Sequence, residues 1–427
     1  MKISCPLFTR RLSMVSVLSA LLCQATPVWA ETTSAWSGFG TLGAVHSNNR
    51  EADFIGSIVQ PVGSGKSQAT SYGVDSKLGG QVAVKFDSGV SGIVQVVVDH
   101  RYDHTYRPEI EWANLKYDLG KNAYVRAGRV VAPVFMYSEQ RNVGYSLTPA
   151  REPVDVYSLN PITHLDGLDV GVRHEMGGGV LSAQVTGGRH KLRINPVPVI
   201  ELSGSAAMFN STYETGASTF RFGYGKYKLQ VRVLDPTSGF MDMYEDSVKV
   251  YGSATGYGAD VANLRLHDVR VDIWGLGYAY DPGTWLLQTE YVSRKSPGNF
   301  VQDAVAGYVL GGYRIGKLTP YASYSRLKSK ESPLRPVPAA FMAADPLNPF
   351  LIPAIESQFQ SYNEQSTLAF GVRYDFYRNL ALKAQFERVR KPGTPTPNMG
   401  TFNLGTPVFA ANNQQVNLLT LNLDFVF

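Results

Sequence analysis

The sequence has very little cysteine, few histidines and no long hydrophobic segment beyond its N-terminus. Its two cysteines, Cys5 and Cys23, both lie among the first thirty residues, so the remainder has no disulfide framework. No later stretch approaches the roughly 18 consecutive apolar residues of a membrane-spanning helix. Acidic and basic residues are nearly balanced after the N-terminus, which argues against a nucleic-acid partner. These absences exclude a disulfide scaffold, a helical membrane protein and a nucleic-acid-binding protein.

Residues 1–30 have the pattern of a cleavable secretory signal peptide. A basic region with three charged residues precedes an apolar segment at 12–23, and cleavage is expected after Ala30. A lipoprotein site at Cys23 is disfavoured because a bulky leucine precedes it. Removal of the three basic residues lowers the formal net charge from +5 to +2. We therefore expect an exported chain in which residues 31–427 form one domain.

Glycine and aromatic residues are abundant, with 41 glycines, 24 tyrosines and 20 phenylalanines. Alternation of apolar and polar side chains recurs along the chain, whereas helical apolar spacing is almost absent. Each alternating segment is about as long as a tilted strand that crosses a bilayer, roughly 9 to 11 residues. We predict sixteen strands, at residues 35–47, 75–86, 90–101, 109–119, 122–130, 167–175, 180–188, 218–224, 227–235, 268–280, 284–294, 304–315, 318–328, 366–376, 380–390 and 415–427.

The predicted connections alternate between short and long. Tight turns rich in Gly, Asp and Asn are expected at 87–89, 120–121, 176–179, 225–226, 281–283, 316–317 and 377–379. Long segments are expected at 48–74, 102–108, 131–166, 189–217, 236–267, 295–303, 329–365 and 391–414. Short turns at one end and long loops at the other are typical of outer-membrane β-barrels, whereas a soluble sandwich has no reason to segregate its loops.

The strand faces favour the same fold class, an all-β transmembrane antiparallel barrel. At 368–376, leucine, phenylalanine, valine and tyrosine occupy one face, and the other carries Arg373 and Asp375. We expect the apolar face to contact lipid and the charged face to line a wet lumen. The last strand ends on Phe427 and is predicted to pair with the first, because a barrel leaves no strand edge in lipid.

Several segments resemble those of the Gram-negative outer-membrane porins of the sixteen-stranded, trimeric general type. They are the glycine-aromatic strand at 38–43, SKLGG at 76–80, VRAGR at 125–129 and the terminal Phe427, together with the signal-like N-terminus. The resemblance covers residues 31–427, by pattern more than by motif. In that family the third long loop folds into the pore, and the terminal phenylalanine is read by the barrel-assembly machinery. The acidic, glycine-rich third-loop motif of the enterobacterial members is missing, so their cation preference is not expected here.

The resemblance implies a homotrimer in outer-membrane lipid and lipopolysaccharide that passively conducts small hydrophilic solutes and ions. It implies no cofactor, no catalysis and no bound metal. His100 and His104 lie near aspartates, but a loop cluster without cysteine is a non-specific metal signal. Two alternatives stay open at this point. One is a channel selective for phosphate, dicarboxylates or sugars, and the other is a non-conducting barrel that acts as an adhesin, receptor or enzyme.

Residues 126–165 are the predicted constriction, because four prolines and mixed charges make this segment unsuited to a spanning strand. We expect five loop charges at the opening, namely Glu139, Arg141, Arg151, Glu152 and Asp155. The expected basic residues of the facing wall are Arg126, Arg173, Arg221, Arg232, Arg373 and Lys383. Charges that line a pore set its ion preference, and the excess of basic residues predicts a weak anion preference. The alternative for each arginine is a structural pair with a neighbouring carboxylate.

Overall fold

The computed structural model describes residues 32–86, 89–194, 199–234, 267–296, 301–330, 363–394 and 398–427. The proposed signal peptide, residues 1–30, lies outside the described residues, as does most of the predicted loops at 236–267 and 329–365. No helix within these ranges is long and apolar enough to cross a membrane.

Sixteen long strands make up most of the described chain. In chain order they are β1 (Thr33–Ser47), β2 (Lys77–Lys85), β3 (Val90–Asp99), β4 (Glu109–Asp118), β5 (Ala123–Val131), β6 (His164–Met176), β7 (Gly179–Ile194), β8 (Val199–Thr215), β9 (Ser218–Leu234), β10 (Val269–Tyr280), β11 (Trp285–Lys295), β12 (Ala304–Tyr313), β13 (Leu318–Ser329), β14 (Glu364–Tyr377), β15 (Leu380–Lys391) and β16 (Gln414–Val426).

The strands close into an antiparallel barrel in which each pairs with its neighbours in sequence. β1 pairs on one side with β2 and on the other with β16, in a register that runs from Phe39 opposite Val426 to Ser47 opposite Leu418. The closure predicted from the last strand is therefore confirmed. It leaves every one of the sixteen strands paired on both sides, as the hydrocarbon core requires.

The predicted number of strands is correct, but two errors cancel within it. Residues 199–215 form β8, although the sequence predicts a long loop there because Ser, Gly and Ala obscure the alternation. Residues 225–226 were predicted as a turn, yet Gly225 lies inside β9, opposite Met208 and Ile273. The actual turn lies at Gly216, whose φ of +56° suits glycine. The long loop predicted at 189–217 is therefore wrong.

The two faces of the barrel have the inverted polarity expected of a transmembrane barrel. On β16, Leu419 and Leu421 are each 50% exposed on the outside, whereas Thr420, Asn422 and Asp424 are fully buried on the inside. A soluble protein would bury the leucines. The apolar exterior and polar interior identify a membrane-spanning barrel of the bacterial outer-membrane type.

Two connections at the long-loop end, the first and the last, pack against the inside of the barrel wall. Three short strands, Asp53–Phe54, Ser64–Gly65 and Phe402–Asn403, form a small sheet from the first and last long loops. Beside it lies α1 (Pro407–Ala411), capped by the Thr406 side chain. Phe54, Phe402 and Phe409 pack there with inward residues of β1, β15 and β16. This packing fixes the two loops against one side of the barrel.

Candidate pore and its inward loop

Residues 132–163, which connect β5 to β6, form the third long connection and lie inside the barrel. The segment contains a 3₁₀ turn at Gly144–Ser146 and one helical turn at Val154–Tyr157. Its apolar side chains, Phe135 and Tyr157 among them, share a buried cluster with inward residues of β8 to β13. The rings of Phe135 and Tyr157 meet edge to face at 5.0 Å. The hydrophobic effect therefore holds the loop on the inner wall.

Two wall glycines make room for the loop. A Cβ at Gly223 of β9 would collide with the backbone carbonyl of Val134, and one at Gly277 of β10 would collide with the Met136 side chain. Any other residue at Gly223 would push the loop backbone away from the wall, and any other residue at Gly277 would displace the Met136 side chain.

Buried carboxylates anchor the loop along β11, β13 and β14. Glu290 accepts hydrogen bonds from the Met136 amide (3.0 Å) and the Tyr157 hydroxyl (3.1 Å). Asp155 accepts from Ser325 Oγ at 2.6 Å and from the Gln365 amide. Burial raises the pKa of Asp155, and its hydrogen-bond donors oppose that shift. Asp155 was expected at the opening, but the structure places it in the loop–wall contact because its helical turn points toward the wall.

Arg151 fastens the opposite side of the loop to β15 and β16. Its guanidinium donates to Asp75 Oδ1 and Oδ2 at 2.8 and 2.7 Å, to Thr420 Oγ1 at 2.6 Å and to Glu387. Burial alone would lower the pKa of Arg151, but the two carboxylates outweigh burial and raise it. Arg151 was also expected at the opening. It is buried instead, because two carboxylates share its charge.

Two basic wall residues are also structural anchors. Lys383 is fully buried, 2.8 Å from Asp424 Oδ2, and donates to the carbonyls of Gly144 (2.7 Å) and Pro149 (3.1 Å). Arg373 donates to the carbonyls of Tyr145 and Leu147 at 2.6 and 2.9 Å and pairs with Asp375. Both face inward, as predicted, and each pairs with a carboxylate and donates to loop carbonyls, so both charges have a structural role.

The other predicted wall residues differ in environment. Arg221 pairs with Glu139 of the loop (3.0 Å), and Arg126 pairs with the buried Asp169 (2.9 Å). Arg173 is exposed, and the alternation of β6 places it on the inward face of the strand, near the short-turn end.

Arg232 does not face the lumen, so that prediction is wrong. Its side chain is 65% exposed, whereas the neighbouring Val231 and Leu229 are buried toward the interior. The end of β9 nearest the long loops extends beyond the apolar, lipid-facing part of the barrel exterior. There the polarity is the reverse of that in the membrane-spanning part, with apolar side chains inside and charged side chains outside.

A charged cavity remains between the loop and the wall formed by β2 to β6. The loop contributes Arg141 and Glu152, joined at 3.1 Å, with the Arg141 guanidinium 5.6 Å from the Tyr157 ring centre. On the wall, Arg101 joins Asp99 at 2.6 Å and Glu109 at 2.9 Å. Together with its rim, the cavity is lined by eight basic and five acidic side chains. Of the five predicted loop charges, Arg141, Arg151 and Glu152 line this cavity. Arg151 is held by Asp75 and Glu387, whereas Arg141 and Glu152 pair with each other.

Part of this wall is not predictable from strict alternation of side chains. The register shifts between Gln95 and Val96, so that Glu111 is an extra residue opposite β3. The bulge turns Glu111 inward, 3.5 Å from His164 Nδ1. Strict alternation cannot detect a bulge, and the available signal was the pair of acidic residues, Glu109 and Glu111, on either side of Ile110.

Phe427 lies where β16 meets β1. Its amide and carbonyl both bond to Gly38 at 2.9 Å, and its ring stacks on Phe425 with centres 6.5 Å apart. No group of three or more His, Cys, Asp or Glu side chains suited to a metal occurs in the described part of the chain. His100 stacks on Tyr106 at 5.1 Å, with His104 beside it.

The sequence matches no protein-family model and no curated protein. Solved structures do match its fold. The outer-membrane channel DcaP of Acinetobacter baumannii has a TM-score of 0.54 at 12% identity, over 93% of this chain and 97% of that one. OmpF of Salmonella typhi, solved with daunomycin, has 0.50 at 13%, over 92% and 97%. An anion-selective porin from Comamonas acidovorans has 0.50 at 11%, over 93% and 100%.

The similarity extends over almost the whole of each chain and agrees with the closed sixteen-stranded barrel. At these identities it concerns the fold, and it confirms the architecture predicted from the sequence. The chain has the fold of a general-porin-type barrel of the bacterial outer membrane.

Proposed function

We infer that the protein is an outer-membrane channel for passive diffusion of small hydrophilic solutes and ions. The main observation in support of this function is the inward loop. It is held against two sides of the barrel and leaves a charged cavity beside β2 to β6. A loop held this firmly defines the width of the remaining passage. Paired charges of both signs around it favour hydrated ions and polar solutes.

The excess of basic residues around the cavity supports a weak anion preference. The similar structure from Comamonas acidovorans is described as an anion-selective porin, in keeping with this preference. Arg141 and Lys77 are the basic residues we assign to the narrow part. Lys77 Nζ lies 3.4 Å from the Arg141 carbonyl, so the two belong to one side of the passage.

Reconstitution in planar bilayers tests the proposal. We expect conductance that is proportional to salt concentration. In a salt gradient, the reversal potential should have the sign that indicates a preference for anions. Absence of conductance from folded protein would refute the channel. Block by phosphate, a dicarboxylate or a sugar at low concentration would instead favour a selective channel, for which the cluster of Lys77, Arg101 and Arg141 would be the binding site.

A homotrimer is part of the same proposal. Strands β1, β2 and β16 expose large apolar side chains, including Trp36, Leu42 and Leu78, and β1 and β16 contain no lysine or arginine. This uncharged sector suits contact between copies of the chain. Chemical crosslinking of the protein in native membranes should give a trimer. Crosslinked products of several sizes, with no enrichment of the trimer, would contradict the proposed homotrimer.

A further inference from the structure

A second cavity, of about 110 Å³, lies beside β11 to β13, away from the charged cavity beside β2 to β6. We call it the side pocket. Residues 55–58 of the first long loop, 154–159 of the inward loop and 400–402 of the last long loop border it, together with the long-loop ends of the three strands. Ser57 borders both cavities, so the first long loop separates the side pocket from the passage.

The side pocket contains a single charge. Arg294 is the one ionisable side chain among the described residues that line it. Its Nε donates to the Gln302 carbonyl at 3.1 Å and its Nη1 to the Leu159 carbonyl at 3.2 Å. Asp303, which acts on this guanidinium electrostatically, accepts from the Ser296 amide at 2.8 Å and forms no ion pair with it.

The guanidinium of Arg294 therefore keeps part of its capacity to bind an anion. An arginine side chain has five N–H donors, and two hydrogen bonds to carbonyls neutralise none of its charge. Within the ranges that the structure describes, Nη2 has no acceptor and the side chain has no carboxylate partner. A cation in this position favours a ligand with a negative charge.

Apolar side chains form much of the remaining wall. Ile55, Leu159, Leu327 and Phe402 line the side pocket and are buried. Ala304, also buried, is opposite Arg294 in the register of β11 and β12. This wall distinguishes the side pocket from the charged cavity, where acids and bases face each other. A ligand that fills the side pocket must have an apolar body as well as a charge.

The mouth of the side pocket is polar and open to solvent. Ser57, Ser158 and Arg294 are half-buried, so water and small solutes reach them. The hydroxyls of Ser57 and Ser158 have no hydrogen-bond partner among the described side chains and backbone groups. The Ser329 hydroxyl is already used, because it donates to the Asn363 carbonyl at 2.8 Å.

Volume and charge together limit the class of ligand. A cavity of about 150 Å³ accommodates benzene, so 110 Å³ suits roughly four to six non-hydrogen atoms. Inorganic phosphate would leave the apolar wall uncovered. A dicarboxylate would bring its second charge against that wall, where no second cation compensates it.

We propose that the side pocket binds a short-chain monocarboxylate, such as propionate or butyrate. The carboxylate accepts charge-assisted hydrogen bonds from Arg294, and the alkyl chain packs against Ile55, Leu327 and Phe402. Bound beside Ser57, such a solute is held next to the passage. The proposal rests on the channel function only in naming a solute class for it, because binding itself requires only the folded barrel.

The test measures butyrate binding to the full-length barrel in detergent by saturation-transfer-difference NMR. Acetate and n-butylammonium are titrated in the same way, and phosphate and succinate are added as competitors. Arg294→Gln removes the charge, and Ala304→Leu fills the pocket while keeping the charge. The matched control is Arg326→Gln, which removes an exposed arginine that pairs with Glu364 on the outside of β13. Heat-modifiable gel mobility verifies folding, and bilayer conductance is recorded for every variant.

Butyrate should bind equally well to the wild type and to the control. Arg294→Gln should weaken binding roughly 10- to 100-fold, which is the contribution of a hydrogen bond to a charged group. Ala304→Leu should abolish binding, and it decides the question if Arg294→Gln does not fold. Acetate should bind about 15-fold more weakly than butyrate, since each of the two missing methylenes contributes about four-fold.

Wild-type affinity for butyrate in Arg294→Gln or in Ala304→Leu would overturn the proposal. Equal binding of n-butylammonium would exclude recognition by Arg294, and equal binding of acetate would exclude the apolar wall. Stronger binding of phosphate or succinate than of butyrate would assign the pocket to another class of anion. A barrel that conducts ions without binding butyrate refutes the side pocket alone, whereas one that binds butyrate without conducting refutes the channel alone.

Discussion

Replacing Arg151 by methionine should detach the inward loop from one side of the barrel. The guanidinium carries hydrogen bonds to Asp75, Glu387 and Thr420, and all of these groups are buried. Methionine preserves much of the side-chain volume but leaves two carboxylates without a counter-ion. Breaking a buried pair in this way costs about 3–5 kcal/mol, which shifts the seated-to-released ratio by roughly 150- to 5,000-fold.

The barrel itself should survive this substitution, because its strand pairing does not involve Arg151. Lys383, Asp155 and the apolar cluster still hold the rest of the loop. We therefore expect folded channels whose single-channel records show frequent transitions to a higher conductance and greater current noise than the wild type.

Two controls separate loss of the anchor from loss of a charge. Adding Asp75→Asn and Glu387→Gln to Arg151→Met removes the uncompensated carboxylates and should restore much of the quiet wild-type record. Arg129→Gln removes an exposed pair with Asp166, worth about 0–1 kcal/mol, and should change nothing measurable. If Arg151→Met gives folded channels with wild-type conductance and noise, the loop is not held by this cluster and the anchoring argument fails.

Three further predictions concern the same loop. Arg141→Gln should move the reversal potential toward cation preference, and Glu152→Gln should move it toward anion preference. Each substitution leaves the other member of the ion pair beside the cavity without its partner. Equal shifts of one sign would contradict the placement of Arg141 and Glu152 beside the passage. Gly223→Val should displace the loop backbone at Val134 and enlarge the conductance, whereas Gly311→Val, where a Cβ meets open space, serves as the control. Because burial raises the pKa of Asp155 above its ordinary value of 3.8, its contribution to loop seating is complete below that value and is lost as pH rises through the raised pKa. Loop-opening events should therefore become rarer as pH falls toward 4, and Asp155→Asn should remove this dependence while keeping the loop seated; an unchanged pH profile in that variant would rule out Asp155 as the titrating group.

Much of the fold was predictable because strand alternation and loop length are local properties. The boundaries of β1, β10 and β15 agree with prediction to within two residues. Long-range packing determined where prediction failed. Gly225 has turn-forming chemistry, but pairing with β8 and β10 keeps it in a strand, and the small residues of β8 carry too little contrast for a periodic signal.

The site shows why inward parity is a poor guide to pore-lining charge. Arg373, Lys383 and Arg221 all face inward as predicted, yet each donates to the loop or pairs with it. A charge is free to act on permeating ions only where the loop leaves it uncovered, and the path of the loop depends on the apolar cluster behind Phe135 and Tyr157. The sequence shows the charges but cannot show which of them the loop covers. In this barrel the covered charges hold the loop, and the smaller set around Arg141, Glu152 and Arg101 is left to contact the passage.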